Sequence, residues 1–363
     1  MIVENIEYTD FRNIEKETFK FSSGVNVIFG KNAQGKTNII EGIYLFARGK
    51  SFRALRDKEM IRFGADVGYA RLEYNKGGNL HHLSCKIDKN SPKNFYVEGN
   101  KASRTIDIIG EFRSVLFCPA HLGIINDSPA IRRNFLDIAI SQVNPSYAKM
   151  LSKYNNALLN RNAILKSSEE EIPEYRKLLD VYSETLASLD TDIFLKRYEY
   201  VNRLDFWIKM FFSQMTKGNE IPNVIYESNL QDVDYKSKEE IEKKYTALLN
   251  DNVEREQKYG STLFGIHKDD LKIELNGKDA RAYSSQGQQR SLAIALKMAE
   301  TEISREYTND MPVLLLDDVL SELDEGRKSF ILSCIKDKQV IITSCETSNF
   351  NNDNVNFIER KMN

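Results

Sequence analysis

Hydrophobic and polar positions change rhythm twice along this chain. Over the first 123 residues, segments such as GVNVIFG, GYARLEY and HLSCKID are short, β-branched or alternating, and bounded by Gly, Asn or Lys-Asn clusters, so they read as strands. Residues 1–123 are therefore expected to be mostly β with one or two helices. From 124 to 259 the step lengthens: in YAKMLSKYNNALLNRNAILKS and EYRKLLDVYSETLASLDTDIFLKRYEYVNRLDFWIKMFFSQM apolar residues recur at three- and four-residue intervals, the spacing of amphipathic helices. Only Gly218, of 18 glycines, falls in that stretch, which marks it as a different kind of structure. Pro129, Pro145 and Pro173 stand at plausible helix starts, with Ser128 and Asn144 where N-caps belong, predicting several antiparallel helices rather than one rod. DYKSKEEIEKKYTALLND reads as a solvated helix face with Glu and Lys at supporting spacings. Beyond it, LKIELNG is a strand, SLAIALKMAETEISREY an amphipathic helix, and PVLLLDDV and QVIITSC buried strands, so the C-terminal part reads α/β.

Composition narrows the class. With 363 residues, 41% apolar and 29% charged, the chain suits one large or two modest globular domains. Its apolar runs, VLLL at 313–316 and VII at 340–342, fall far below the roughly 18 residues of a membrane span. The N-terminal MIVENIEYTDFRN lacks the pattern of an export signal, so a cytoplasmic chain with no membrane partner is expected. Four cysteines form no CxxC pair and read as reduced thiols. A net charge of −2 supplies no global attraction for nucleic acid, so any DNA site must be a local patch.

The strongest chemical signal is Gly30, Lys31, Asn32, Ala33, Gln34, Gly35, Lys36 and Thr37, a full match to GxxxxGK[ST] between an apolar strand and the helix-like NIIEGIYLFAR. Backbone N–H groups wrap a triphosphate only where side chains are absent, hence the glycines, and the new helix aims its positive end at the phosphates. Lys36 would neutralise phosphate oxygens and Thr37 would hold Mg²⁺. The acidic partner is supplied by VLLLDD: the carboxylates emerge at the C-terminal end of a buried parallel strand, where open α/β sheets place ligands. Asp317 would act on Mg²⁺ and Asp318 would polarise the attacking water. Loop and acidic strand lie far apart in sequence with the helical stretch between them, so the site must be assembled from both ends of the chain. Upstream of the strand stands YSSQGQQR and downstream SELD, by themselves a helix cap and a turn.

With these elements in order, the chain resembles the ABC-type ATPases of the SMC class, and most closely the RecF family of DNA repair proteins. The matching text is FRN (11–13), GKNAQGKTN (30–38), SFRALRDKEMIRFG (51–64), SPAIRRNFLD (128–137), YNNALLNRN (154–162), GIHKDDL (265–271), YSSQGQQRS (283–291) and LLLDDVLSELD (314–324). The resemblance implies an α/β ABC-type ATPase head of mixed sheets and helices, residues 1–128 plus 255–363, with an inserted helical arm at 129–254. It also implies that Ser285, Gly287 and Gln288 form a signature loop touching the γ-phosphate of ATP on a second subunit, with Asp324 in the D-loop at the same interface. By the same analogy Arg12 lies near the nucleotide, and Thr343 or Ser344 takes the switch position after the last buried strand. ATP and Mg²⁺ are the implied cofactors; DNA, a second copy of the chain, RecR, RecO and RecA are the implied partners. Hydrolysis is expected to be slow, because the ATP state does the holding.

The family's Phe-x-Pro-Glu-Asp-Leu reads FCPAHL at 117–122, so Ala120 and His121 replace both carboxylates, and slowed or differently coupled hydrolysis is expected if that segment senses Mg²⁺ or water. In GIHKDDL, Ile266 stands where the family has Pro, a change of backbone stiffness more than chemistry. Arg48, Lys50, Arg53, Arg56, Lys58 and Arg62, with Phe52 among them, and the pair Arg132 and Arg133 either neutralise DNA phosphates or form solvated and structural surfaces. His267 suits a structural or capping role and Trp207 helix packing. A transporter ATPase would hold its motifs in one compact domain, and an SMC-like nuclease would need a further metal-dependent domain that these residues do not contain. A nucleotide-switched protein scaffold with little direct DNA contact is the main alternative.

Overall fold

The structure is a computed structural model and describes residues 1–31, 34–167, 173–230, 233–345, 350 and 355–360. A hairpin of β1 (Ile2–Phe11) and β2 (Ile14–Lys20) leads to β3 (Val25–Phe29), helix α1 (Lys36–Arg48) and strands β4 (Val67–Lys76), β5 (Asn79–Asp88), β6 (Asn94–Val97), β7 (Asn100–Lys101) and β8 (Ser114–Phe117). A single turn, α2 (Gly123–Asn126), opens onto α3 (Pro129–Val143), α4 (Pro145–Lys166), α5 (Pro173–Thr216), β9 (Pro222–Glu227), α6 (Lys238–Asp251) and α7 (Val253–Tyr259). The chain closes with β10 (Asp270–Leu275), β11 (Lys278–Asp279), α8 (Ala280–Tyr283), α9 (Gln286–Thr308), β12 (Val313–Asp317), α10 (Glu325–Cys334), β13 (Val340–Ser344) and β14 (Val355–Glu359). Among the described residues no helix is long and apolar enough to cross a membrane.

Two sheets sandwich α1. One is six-stranded and antiparallel in the order β2-β1-β4-β5-β6-β7; the other is five-stranded and parallel in the order β14-β3-β13-β12-β8. The parallel sheet is covered on both faces, which is why its strands are unbroken apolar runs. In β12 successive side chains go to opposite sides: Val313 and Leu315 join the core around α1 and the antiparallel sheet, while Leu314 and Leu316 join the core around α9 and the helical arm.

The helical stretch departs from its expectation at one element. It contains β9, which pairs antiparallel with β10 over Pro222 to Glu227 and so ties the arm to the C-terminal part of the chain. The sequence NVIYE alternates but is short and sits among charged helices, which is why its period of two went unread. The prolines do open α3, α4 and α5, the last 44 residues long. Asn144 caps α4 by accepting from Tyr147 N–H at 3.3 Å, whereas Ser128 occupies its cap position without a side-chain bond. Helix α9, expected to be amphipathic, is buried on every side from Ser291 to Ser304. Its charged members survive burial by pairing, Lys297 with Glu300 and Glu302 with Lys338.

The YNNALLNRN segment has a structural purpose inside the arm. Arg161 is wholly buried and donates to Ser183 Oγ at 3.0 Å, Thr262 Oγ1 at 2.8 Å and the Leu249 carbonyl at 3.3 Å, with Glu256 2.6 Å from its guanidinium. One side chain thus joins α4, α5, α6 and α7. Removing it strands a buried carboxylate, so Arg161→Ala is expected to lower unfolding free energy by about 3–5 kcal/mol in denaturant titration. Arg161→Met combined with Glu256→Met should recover most of that loss.

Candidate nucleotide site at the ends of the parallel strands

Strand β13 lies between β3 and β12, with Ser344 paired to Phe29 and Thr343 to Asp317. The phosphate loop, the acidic residue and the end of β13 therefore emerge side by side at the C-terminal edge of one sheet, although Thr37 and Asp317 are 280 residues apart. Gly35 takes a left-handed conformation, φ 87°, and a Cβ there would stand 2.3 Å from Asn13 Oδ1, so the close approach of loop and hairpin requires glycine. It opens α1 with no side-chain cap and no acid in the first turn, leaving N–H groups for an anion. Lys36 is 8% exposed and folds back over the loop, donating to the Gly30 carbonyl at 2.6 Å and that of Lys31 at 3.0 Å. Gln34 closes the loop with its carbonyl bound by Asn13 and Arg360. Asn32 and Ala33 lie outside the described residues.

A hydroxyl–carboxylate cluster forms the other wall. Thr37 Oγ1 donates to Asp317 Oδ1 at 2.8 Å, and Thr343 Oγ1 donates to the same oxygen at 2.9 Å while accepting from Asp318 N–H at 2.9 Å. Burial raises the Asp317 pKa, and the two hydroxyls and the nearby Arg53 charge pull it back. A hydroxyl and a carboxylate in contact are hard oxygen donors, the set Mg²⁺ prefers. Asp318 has φ 53°, and this left-handed step turns its exposed carboxylate off the strand line, where it accepts from Ser321 Oγ at 3.1 Å. Of the two residues expected at a switch position, Thr343 is bonded to both aspartates.

The signature residues make a second group. Ser285 caps α9, accepting from Gln288 N–H at 3.3 Å while Gln288 Oε1 accepts from Ser285 N–H at 2.7 Å; the Gln288 amide also donates to Glu220 of the arm. Asp324 caps α10 by accepting from Arg327 N–H at 2.9 Å. Arg327 reaches back to the Gly287 carbonyl, so Asp324 and the signature turn are connected. No hydrogen bond or ion pair among the described residues joins this group to Lys36, Thr37, Asp317 or Asp318.

Sequence reasoning missed Arg53, Cys345 and Arg360. Arg53 was read only as part of a basic run, yet its guanidinium donates to Asn38 Oδ1 at 3.1 Å beside Thr37. Cys345 Sγ stands 3.6 Å from Lys36 Nζ. Arg360 follows β14, whose place beside β3 no local pattern announces. Arg12 flanks the loop, but its guanidinium is committed to Glu41, with Nε at 2.8 Å, and to the Glu59 carbonyl at 2.7 Å.

The basic residues divide. Arg132 is 8% exposed and grips Asp270 with two bonds of 2.7 Å, and Arg133 donates to the Asp269 carbonyl at 2.7 Å, so this pair orders the arm and offers DNA little charge. Arg62 pairs with Asp10 at 2.6 Å. Lys50, Arg53, Arg56 and Lys58 remain exposed. His121 accepts from Cys118 N–H at 3.2 Å and burial holds its pKa far below the usual value, so the FCPAHL turn is held by a neutral imidazole. Burial also pushes His267 down to about 4; its Nδ1 meets the Tyr154 hydroxyl at 2.7 Å and its Nε2 the Thr262 carbonyl at 3.1 Å, a structural role. Trp207 stacks on Phe211 and donates to Glu306 at 3.1 Å, packing α5 against α9.

Comparison with known proteins agrees with this geometry. Residues 2–361 match the family model described as RecF/RecN/SMC N terminal domain. The chain is 37% identical over 343 residues to the DNA replication and repair protein RecF of Thermoanaerobacter sp. (strain X514), covering 94% of each. It is 39% identical to the protein of that name from Clostridium novyi (strain NT), covering 94% of this chain and 92% of the relative. A solved structure of the recombination mediator protein RecF with ATP, in the RecFOR pathway, is similar with a TM-score of 0.90 and 35% identity, covering 99% of this chain and 97% of that one. An Smc head bound to the C-winged helix domain of ScpA shares the fold alone, with a TM-score of 0.55 and 16% identity over 96% of this chain and 92% of that one. The strand-end cluster, the phosphate loop and the whole-length match together place the chain in the RecF family, with the fold of an ABC-type ATPase head carrying a helical arm.

Proposed function

We propose that this chain is an ATP-dependent DNA-binding protein of recombinational repair and replication, with a weak ATPase activity that serves as a conformational switch. The observation that carries this reading is the Thr37–Asp317–Thr343 cluster beside an uncapped phosphate loop. Lys36, already folded over the loop, neutralises the incoming phosphates; Thr37 and Asp317 hold Mg²⁺, which supplies charge stabilisation for phosphoryl transfer. Asp318 orients the attacking water, and Thr343 fixes both aspartates through one hydroxyl. Ser285, Gly287, Gln288 and Asp324 make a half-site that needs an anion from another surface, which a second subunit brings with its own bound ATP. Residues 1–128 and 255–363 form the head in this reading and 129–254 the arm, with β9 and α5 as its anchors.

Closure of two heads on ATP clamps duplex or gapped DNA against Lys50, Arg53, Arg56 and Lys58, and hydrolysis reopens the clamp. The naming of solved relatives as recombination mediators of the RecFOR pathway supports RecR and RecO as partners; loading of RecA at single-strand gaps is the outcome this reading assigns to them. One observation favours a second reading, a nucleotide-switched protein scaffold: Arg132 is buried against Asp270, Arg133 donates to the Asp269 carbonyl and Arg62 is paired at the surface with Asp10, which leaves fewer uncommitted cations.

Binding of a fluorescent gapped duplex, measured with no nucleotide, ADP or ATP at two salt concentrations, separates the two. The clamp requires tight binding with ATP only, weakened by salt and lost in Lys36→Ala. Arg56→Glu with Lys58→Glu should abolish DNA binding and leave ATP-dependent self-association intact; persistence of DNA binding in that variant would overturn this basic face as the DNA site. At the strand end, Thr343→Val keeps the side-chain shape and removes both bonds. Single-turnover hydrolysis should then slow by roughly ten- to a hundredfold while ATP affinity stays within about threefold of the parent.

A further inference from the structure

Arg327 holds together two pieces that the proposed function assigns to the same task. It lies in the first turn of α10, and its three guanidinium nitrogens diverge to separate partners. Nε donates to Ser291 Oγ at 2.7 Å, Nη2 donates to the Gly287 carbonyl at 2.7 Å, and Nη1 pairs with the Asp324 carboxylate. Its own backbone N–H caps α10 by donating to Asp324 Oδ1. Gly287 is part of this arrangement: a Cβ there would stand 3.1 Å from Arg327 Nη2, closer than ordinary contact.

The consequence is geometric. Asp324 follows a loop that touches the second core through Val319, Leu320 and Leu323, whereas the turn at Ser285 begins α9, which is buried on every side from Ser291 to Ser304. Arg327 connects the two across the helix starts. Only a planar fork with several fixed donors serves three acceptors in different directions; a lysine ammonium carries comparable charge but cannot span them. The guanidinium also adds positive charge beneath a helix N-terminus that has no acid in its first turn.

We propose that Arg327 is a positioning residue that locks Asp324 and the signature turn into one rigid unit, so that both meet a partner subunit's ATP in a single register. This rests on the reading of Ser285, Gly287, Gln288 and Asp324 as a half-site acting across subunits. Arg327 bonds Asp324, Ser291 and Gly287 and none of Lys36, Thr37, Asp317 or Asp318, so ATP binding to a dilute single subunit should be independent of it.

The test compares parent, Arg327→Ala, Arg327→Lys and the milder Ser291→Ala. Three measurements suffice: affinity of the dilute monomer for a fluorescent ATP analogue, ATP-dependent self-association by sedimentation, and steady-state hydrolysis resolved into kcat and KM. Arg327→Ala retains the backbone cap of α10 and should fold with a thermal midpoint near that of the parent. Its dimer dissociation constant should rise, and its kcat fall, by about tenfold or more, with monomer affinity within about twofold. Lysine should rescue only a minor part, and Ser291→Ala should shift the same two quantities by a smaller factor. Self-association and kcat unchanged in Arg327→Ala would overturn the inference, as would parallel losses of thermal midpoint and monomer affinity, which would mark a structural residue only. Should the parent itself fail to associate with ATP, the half-site reading falls and takes the inference with it, an outcome visible before any variant is compared.

Discussion

Strand β12 is the constraint on which the rest of this structure depends. It is buried on both faces along its whole length, from Val313 to Asp317, and its alternate side chains belong to two different cores. No charge is tolerable in such a strand before its end, because a carboxylate among leucines would cost several kcal/mol without a partner. At the end, Asp317 is 6% exposed and remains acceptable because two hydroxyls from other elements bind it. The element that joins the two halves of the molecule is thereby also the element that delivers a desolvated carboxylate to the nucleotide site. Fold and chemistry share a cause: the sheet must be covered on both sides, and its strand ends are where backbone and side chains first meet solvent.

The same economy of burial governs the charges. Arg161, Arg132 and Arg12 are each turned inward, against Glu256, Asp270 and Glu41. Such pairs specify geometry more than they add stability, since each ion loses its hydration before it gains a partner. In the arm they set how α4 to α7 and the GIHKDDL turn sit on the head. At the hairpin, Asn13 donates to the Gln34 carbonyl of the phosphate loop while Arg12 holds Glu41 of α1. Lys50, Arg53, Arg56 and Lys58 remain exposed within nine residues of sequence, so a nearly neutral protein retains local positive charge there.

Legibility differed by element. The GxxxxGK[ST] string, the acidic end of VLLLDD and the YSSQGQQR turn stand out in the sequence because each is a local string of particular residue types at fixed spacing. The prolines at 129, 145 and 173 marked helix starts for an equally local reason: ring-fixed φ suits a first turn. Strand β9 was not readable, because a short alternating run is defined by its partner β10 and not by its own pattern. Helix α9 was misjudged as half-exposed because lysine and glutamate in sequence do not reveal that they pair with each other or with Lys338 in the interior.

By itself, then, the sequence determined where a candidate phosphate loop and its acidic partner lie and, β9 apart, which stretches are strand or helix, since both follow from short-range spacing of side chains along the backbone. Tertiary structure decided what no spacing encodes: that β13 inserts between β3 and β12 and makes Thr343 a ligand of Asp317, that Arg360 closes the phosphate loop, and that Arg132 and Arg133 are structural. It also decided that one guanidinium, Arg327, couples two motifs separate in the chain. Apart from the Arg327–Asp324 pair, three positions apart, these contacts join residues tens to hundreds of positions apart, and their energies come from shared burial and paired charge, quantities that exist only once the sheets and helices have closed around them.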